Sequence, residues 1–141
     1  MTGFETRAPL SAEIMLLAAA VMLGLFQLGL AALYARRQYG MAWAVGARDE
    51  PMPPLAGVAA RLDRAFRNFM DTFPLFAAVV LAAEVLGRHN DWTLLGGATY
   101  VAARIVYVPL YGFGVILARS LVWIAATVGI VAVLIGLLQA G

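Results

Sequence analysis

Cysteine and lysine are both absent from this 141-residue chain, and histidine occurs once, at position 89. Without cysteine there is no disulfide, no thiolate nucleophile and no Cys-ligated metal or cluster. A single histidine excludes bis-histidine haem and a His-rich metal site within one chain. No metal, no haem and no nucleic acid is expected. Charge is scarce as well, at 13% of residues. What fills the chain is apolar: 63% is hydrophobic and the mean hydropathy is +0.86, against roughly 45–50% apolar in a soluble domain. All ten basic residues are arginine. Arginine supplies planar, always-charged forks that grip carboxylates. A compositional bias in a chain rich in Ala, Gly and Leu accounts for the bulk preference, but not for where the arginines sit.

Four apolar segments stand out: Ile14 to Ala35, interrupted only by Gln27; Phe69 to Leu86; Leu94 to Leu117; and Leu121 to Leu138. With their flanks they predict helices over about 11–37, 58–87, 92–117 and 119–139, in one domain covering 1–141. At ~1.5 Å rise per residue, each can cross a ~30 Å hydrocarbon core. The first run is too long for a signal peptide. A polar, proline-rich loop, Ala47 to Gly57, follows the first helix. The later connections are short: GRHND at 87–91 and a tight turn near Ala118. The fold class is an all-α integral membrane protein, a four-transmembrane-helix bundle. Arg36, Arg37, Arg48, Arg61, Arg64, Arg67 and Arg119 fall on one side, and Arg7 and Arg88 on the other. The positive-inside rule places the arginine-rich loop in the cytoplasm and both termini outside, which in a bacterium means the inner membrane. Trp43, Trp92 and Trp123 fall at the expected membrane edges, and no chemistry is assigned to Trp43 or Trp92. Small residues four apart, Ala20/Gly24, Ala125/Gly129 and Ala132/Gly136, permit close helix approach.

The second helix carries the unusual stretch. Its purely apolar part, Phe73 to Leu86, is about 14 residues, too short to span comfortably. Asn68, Asp71 and Thr72 therefore lie at or just inside the membrane boundary. Charge at that depth is costly unless paired or facing a wet cavity. Arg61, Arg64, Asn68, Asp71 and Leu75 recur at spacings of three and four, as one helix face. Arg67, four before Asp71, is placed to pair with it. On the third helix Tyr100, Arg104, Tyr107 and Tyr111 form a second polar face, and Pro109 removes one backbone hydrogen bond. Arg104, near mid-span, needs a carboxylate partner, and Asp71 and Glu84 are the two candidates. Glu84 reads equally as an interfacial charge, Glu13 as a helix-dipole or interface residue, and His89 as a loop residue. Arg36 and Arg37, taken alone, read as topology signals or lipid headgroup anchors. Taken with Arg119 and Ser120 at the start of the last helix, they complete a convergence of arginines, an amide, a carboxylate and tyrosines. That set matches a small anion with several carboxylates.

At these residues the chain resembles the MAPEG family, the membrane-associated proteins in eicosanoid and glutathione metabolism. RAFRNFMDTFPLF follows the family pattern Arg-Ala-x-x-Asn-x-x-(acid)-x-x-Pro-Leu-Phe. ARIVYVPLY follows Ala-Arg-x-x-Tyr-x-x-x-Tyr, and the ARR at 35–37 and RS at 119–120 fall where the family has arginines. The resemblance implies a left-handed four-helix bundle, a homotrimer, and glutathione bound between subunits near the cytoplasmic boundary. Arg36, Arg64, Asn68, Asp71, Tyr107, Tyr111 and Arg119 would hold the tripeptide. Arg119, or alternatively Arg37, would stabilise its thiolate, and Ser120 could add a hydrogen bond. A lipophilic second substrate would enter from the membrane along the first and last helices. The sequence departs from the pattern at Asp71, where a longer Glu is usual, at Ala60, where an acid is frequent, and at Trp123, where some members have Tyr.

The expected function is a membrane-embedded glutathione-dependent transferase or peroxidase acting on lipophilic electrophiles, with glutathione as cosubstrate. A second reading is a non-catalytic lipid-binding or scaffold protein of the same fold. A third is a small multidrug exporter coupled through Glu13 or Glu84. Its transport site would belong near the midplane, whereas the polar residues here gather at one boundary.

Overall fold

In the computed structural model, which describes residues 9–139, helix length sorts the spans into two classes. Helices α1 (Ala12–Tyr39) and α3 (Gly57–Val85) have 28 and 29 residues, while α4 (Asp91–Gly112) and α5 (Ile116–Leu138) have 22 and 23. At ~1.5 Å per residue, the long pair measures about 42–44 Å and the short pair about 33–35 Å. The excess of α1 and α3 falls at one end, where Arg36 and Arg37 lie in the last turn of α1 and Arg61 Nε donates to the last carbonyl of α4, Gly112 O, at 2.8 Å. Arg7, counted above on the arginine-poor side, lies outside the described residues. All four helices are long and apolar enough to cross a membrane, and no strand occurs among the described residues. The chain is an integral membrane protein with a four-helix bundle.

Two details differ from the sequence reading. The loop after α1 contains a short helix, α2 (Met41–Val45), since five residues are too few to show a period. The third span stops at Gly112 rather than near 117. Gly114 adopts φ +76, its N–H donates to Tyr111 O at 3.1 Å, and the Val115 N–H donates to Leu110 O at 3.0 Å. This is a Schellman closure, which satisfies the last carbonyls of α4 and ends the helix. The apolar run conceals it, because Val115 to Leu117 are as hydrophobic as the helix they follow. The turn therefore comes earlier than Ala118, and Arg119 falls inside the first turn of α5. Both α3 and α4 continue through their prolines, Pro74 and Pro109.

In lipid there is little hydrophobic drive between helices, so packing and interhelical hydrogen bonds must hold the bundle. The core joins Ala20 of α1, Phe76 and Val80 of α3, Tyr100 of α4 and Ala126 and Val133 of α5. Phe76 and Tyr100 stack with ring centroids 4.0 Å apart. Glycine makes the α4–α5 crossing possible. A Cβ on Gly96 would lie 2.7 Å from Gly129 O and 2.8 Å from Val133 N, and one on Gly129 would lie 2.7 Å from Gly96 O. These obstacles are backbone, which cannot swing aside. Gly129 and Gly136 of the small-residue pairs thus pack on α4, and Gly24 packs on Phe69 of α3. Overpacking of this kind costs about 2 kcal/mol. Gly129→Ala is therefore expected to lower the thermal midpoint of the detergent-solubilised protein by several degrees. Gly29→Ala, whose Cβ would meet nothing within 4 Å, should leave it unchanged. Equal midpoints for the two variants would refute the close crossing.

Candidate functional site

Arg104 is the most deeply enclosed charge in the bundle, at 1% exposed. Its Nη1 donates to Asn68 Oδ1 at 2.8 Å and its Nη2 donates to Thr72 Oγ1. The guanidinium also lies over the rings of Tyr100 and Tyr107, at 5.6 and 5.2 Å from their centroids, within cation–π range. Thr72 Oγ1 donates to Phe69 O at 3.3 Å, so the Tyr100 hydroxyl, 3.2 Å away, donates to Thr72. The expected pairing of Arg104 with Asp71 or Glu84 does not form within the chain. Asn68 and Thr72, four apart, face α4, while Asp71 is offset from Thr72 by one position and is exposed. Glu84 lies twelve residues beyond Thr72, about 18 Å along the helix. The polar stripe predicted for α3 is displaced in the same sense. The inward face is Ala65, Phe69, Thr72, Phe76 and Val80, and Asn68 stands at its edge.

Arg104 also orients Asn68. Its donor takes the amide oxygen, which leaves the Nδ2 N–H pair for the cleft that Asn68 lines. That cleft, about 460 Å³, brings Asn68 together with Tyr107, Tyr111, Arg119, Ser120 and Trp123. The early turn after Gly112 reverses the chain so that the Arg119 guanidinium sits 4.7 Å from the Tyr111 ring centroid. The Tyr107 and Tyr111 rings are tilted at 5.4 Å. Ser120 Oγ donates to Ile116 O at 3.2 Å, leaving its lone pairs as acceptors. Among the described residues no carboxylate lines this space. A guanidinium, two phenols and an amide N–H pair are donors of the kind an anionic ligand requires.

The other candidates stand elsewhere. Arg36 lines a separate cleft at the end of α1. Arg37 is exposed and lies over Tyr34 at 5.1 Å. Arg64 and Asp71 are exposed, and neither forms an ion pair among the described residues. Arg67 pairs with Asp63 at 3.0 Å rather than with Asp71. An acid four residues before the base is the better helical orientation, though at 75% exposure of Arg67 the bridge contributes little.

Glu13 and Glu84 belong to the opposite end of the bundle. Glu13 is 5% exposed. Its Oε1 accepts from Thr93 Oγ1 at 2.7 Å, and its Oε2 lies 3.2 Å from His89 Nδ1. Glu84 accepts from Ser11 Oγ at 2.6 Å and lies 3.8 Å from His89 Nε2. His89 and Glu13 are thus tied into one structural cluster, more than a loop residue and a helix-dipole charge. Neither acid is at mid-span, which removes the basis of the exporter reading. Thr72 is the residue whose part was missed, and its spacing of four from Asn68 was the available signal.

The model of the MAPEG family matches residues 15–139, nearly the whole chain. No curated protein matches it. Arg104→Leu would leave Asn68 Oδ1 without its donor and Thr72 Oγ1 with Tyr100 alone, at a cost of about 2 kcal/mol. A lower unfolding midpoint in mild detergent is the expected outcome. Unchanged stability would mean that this guanidinium does not join α3 to α4.

Proposed function

The chain belongs to the MAPEG family, and from that premise we propose that it is a glutathione-dependent transferase or peroxidase acting on lipophilic electrophiles. The observation that carries the reading is the carboxylate-free cleft gathering Asn68, Tyr107, Tyr111, Arg119 and Ser120. Glutathione would present its carboxylates to guanidinium and amide donors and its thiol to Arg119. A cation beside the thiol favours the thiolate, which is the nucleophile. The thiolate would attack the electrophilic centre of the second substrate, forming the carbon–sulfur bond while the leaving group or displaced electron pair departs. With a peroxide, it would instead attack one oxygen, forming an S–O bond as the O–O bond breaks and the alkoxide leaves to be protonated to the alcohol, and a second glutathione would reduce the resulting sulfenic acid to give the disulfide and water. Trp123 and Ile124, on the same cleft, offer apolar surface to a substrate arriving from the lipid.

Arg36, Arg64 and Asp71 stand outside this cleft in the single chain. In the proposed homotrimer they would close the tripeptide seat across a subunit boundary, with Arg36 supplied by a neighbour. Asp71, as the acid of the motif, would take the amino group. The arginine-rich end would face the cytoplasm, with the termini outside, and the inner membrane of a bacterium is the expected location. Because those three residues lie away from the cleft, the non-catalytic lipid-binding reading stays as the second one.

One titration separates the two. Glutathione added to the solubilised protein is expected to produce a saturable ultraviolet thiolate band, absent in Arg119→Ala. Conjugation of a lipophilic electrophile should fall on the order of 10²-fold in that variant, the cost of removing one charge-stabilising donor. No thiolate band and no binding heat in the wild-type protein would discard the enzyme and favour the lipid-binding reading.

A further inference from the structure

A groove of about 620 Å³ lies between α1 and α4, beside the start of α3. Leu23, Phe26, Leu30 and Tyr34 form one wall, at spacings of three and four that share a face of α1. Ile105, Pro109 and Gly112 form the facing wall on α4, and Arg61 of α3 stands at the arginine-rich end. The volume falls within the range of ligand sites, roughly 300–1,000 Å³. The proposed thiol chemistry uses none of these residues.

Helical phase keeps this groove apart from the surfaces that the proposed trimer would join. Arg36, which would serve a neighbour, stands two residues from Tyr34, about 200° around α1. Tyr107 and Tyr111, at the wall of the thiol cleft, stand two residues from Ile105 and Pro109, about 200° around α4. Both walls therefore turn away from the thiol seat, and the groove is complete within one chain. Ile105 is 55% exposed, so the α4 side opens to the surrounding lipid. Arg61 is set for an anion. Its stem lies against the turn that ends α4, where a Cβ on Gly114 would stand 3.9 Å from Arg61 Cδ. Its Nε donates to Gly112 O at 2.8 Å, one of the carbonyls that a helix end leaves without a partner. That bond fixes the guanidinium across the end of the groove. Arg61 forms no ion pair among the described residues, which leaves both Nη groups to donate. Tyr34, half-buried on the facing wall, adds a phenol at the same end.

We propose that this groove holds one anionic phospholipid, with its phosphate on the two Nη groups of Arg61 and one acyl chain between α1 and α4. The edge of a guanidinium suits a phosphate in bidentate fashion. Away from Arg61 the walls are apolar. From Tyr34 to Leu23 the α1 wall runs about 16 Å into the membrane span, so charge stands at the boundary and hydrocarbon below it, as an amphiphile requires. A free phosphate would make no use of those walls. A fatty acid would, but burial pushes its carboxyl toward the neutral form, whereas a phosphodiester stays ionised opposite the guanidinium.

The test is native mass spectrometry of delipidated full-length protein, titrated with phosphatidylglycerol or with phosphatidylcholine of the same acyl chains. Phosphatidylglycerol is expected to be retained in preference. Arg61→Gln should weaken its binding about fivefold, the loss of one arginine at an anionic surface. Ile105→Trp fills the groove from its exposed wall and leaves Arg61 in place, so it should abolish binding while the thermal midpoint holds. Equal retention of the two lipids, or phosphatidylglycerol binding unchanged in either variant, overturns the proposal. Oleate displacing phosphatidylglycerol at equal concentration would assign the groove to a carboxylate. Inorganic phosphate competing for a site that Ile105→Trp leaves intact would identify a free-anion site. Either result overturns the phospholipid.

Discussion

The bundle turns on one buried guanidinium. Arg104 carries a charge into a region where an unpaired ion is prohibitive, and the chain meets that constraint without a carboxylate in contact. Two oxygens of α3 accept its protons and two tyrosine rings of α4 face its charge. Much follows from this choice. It fixes the rotation of α3 against α4, because only Asn68 and Thr72, four apart, can both reach it. It engages the Asn68 oxygen and so turns the amide donors outward. It keeps Tyr107 beneath the cation and therefore at the wall of the cleft that Tyr111 and Arg119 complete. A carboxylate in the Asn68 position would neutralise the arginine more strongly. It would also place negative charge at the cleft wall, where an anionic ligand would be repelled.

The second constraint is length. Two helices near 43 Å and two near 34 Å cannot end flush at both faces of a ~30 Å core. The excess lies at one end, where guanidinium groups on α1 and α3 can reach water and phosphate while their stems pack on apolar surface. The opposite end is finished differently. There the two carboxylates are held by Ser11, Thr93 and His89, and the start of α4 is capped by Asn90 and Thr93. One end is closed by local hydrogen bonds, while the other keeps unpaired cations.

Span number and the residues of the cleft were legible for a shared reason. Long apolar runs reveal membrane helices, and polar residues inside them stand out because they are rare. Asn68, Tyr107, Tyr111, Arg119 and Ser120 could be named from motif and spacing, and they meet in one cleft. Partners were not legible. Spacing places Asp71 and Asn68 on neighbouring positions of a face, but a rotation of one residue decides which of them touches Arg104, and that rotation is fixed by the Arg104 bonds to Asn68 and Thr72 together with the stacking of Phe76 on Tyr100. The end of α4 was concealed for a different reason. Its stop signal is the left-handed Gly114, set within residues that would suit a continued helix.

Asp71 and Arg64 bear on how the site can be completed. Both are exposed on α3 near the membrane boundary, on the same side as the cleft wall formed by Asn68. Left against lipid they would be expensive, and the chain spends no internal partner on either. Arg67, three residues further along α3 than Arg64, does receive one, in Asp63. Among the described residues a carboxylate and a guanidinium are thus left free at the boundary, where a counterpart from outside the chain would lower their cost. In the proposed assembly that counterpart is a zwitterionic tripeptide backed by a neighbouring subunit. Its ammonium would meet Asp71 and its carboxylates would meet arginine, so the charges that α3 leaves open would be neutralised only when the ligand is present.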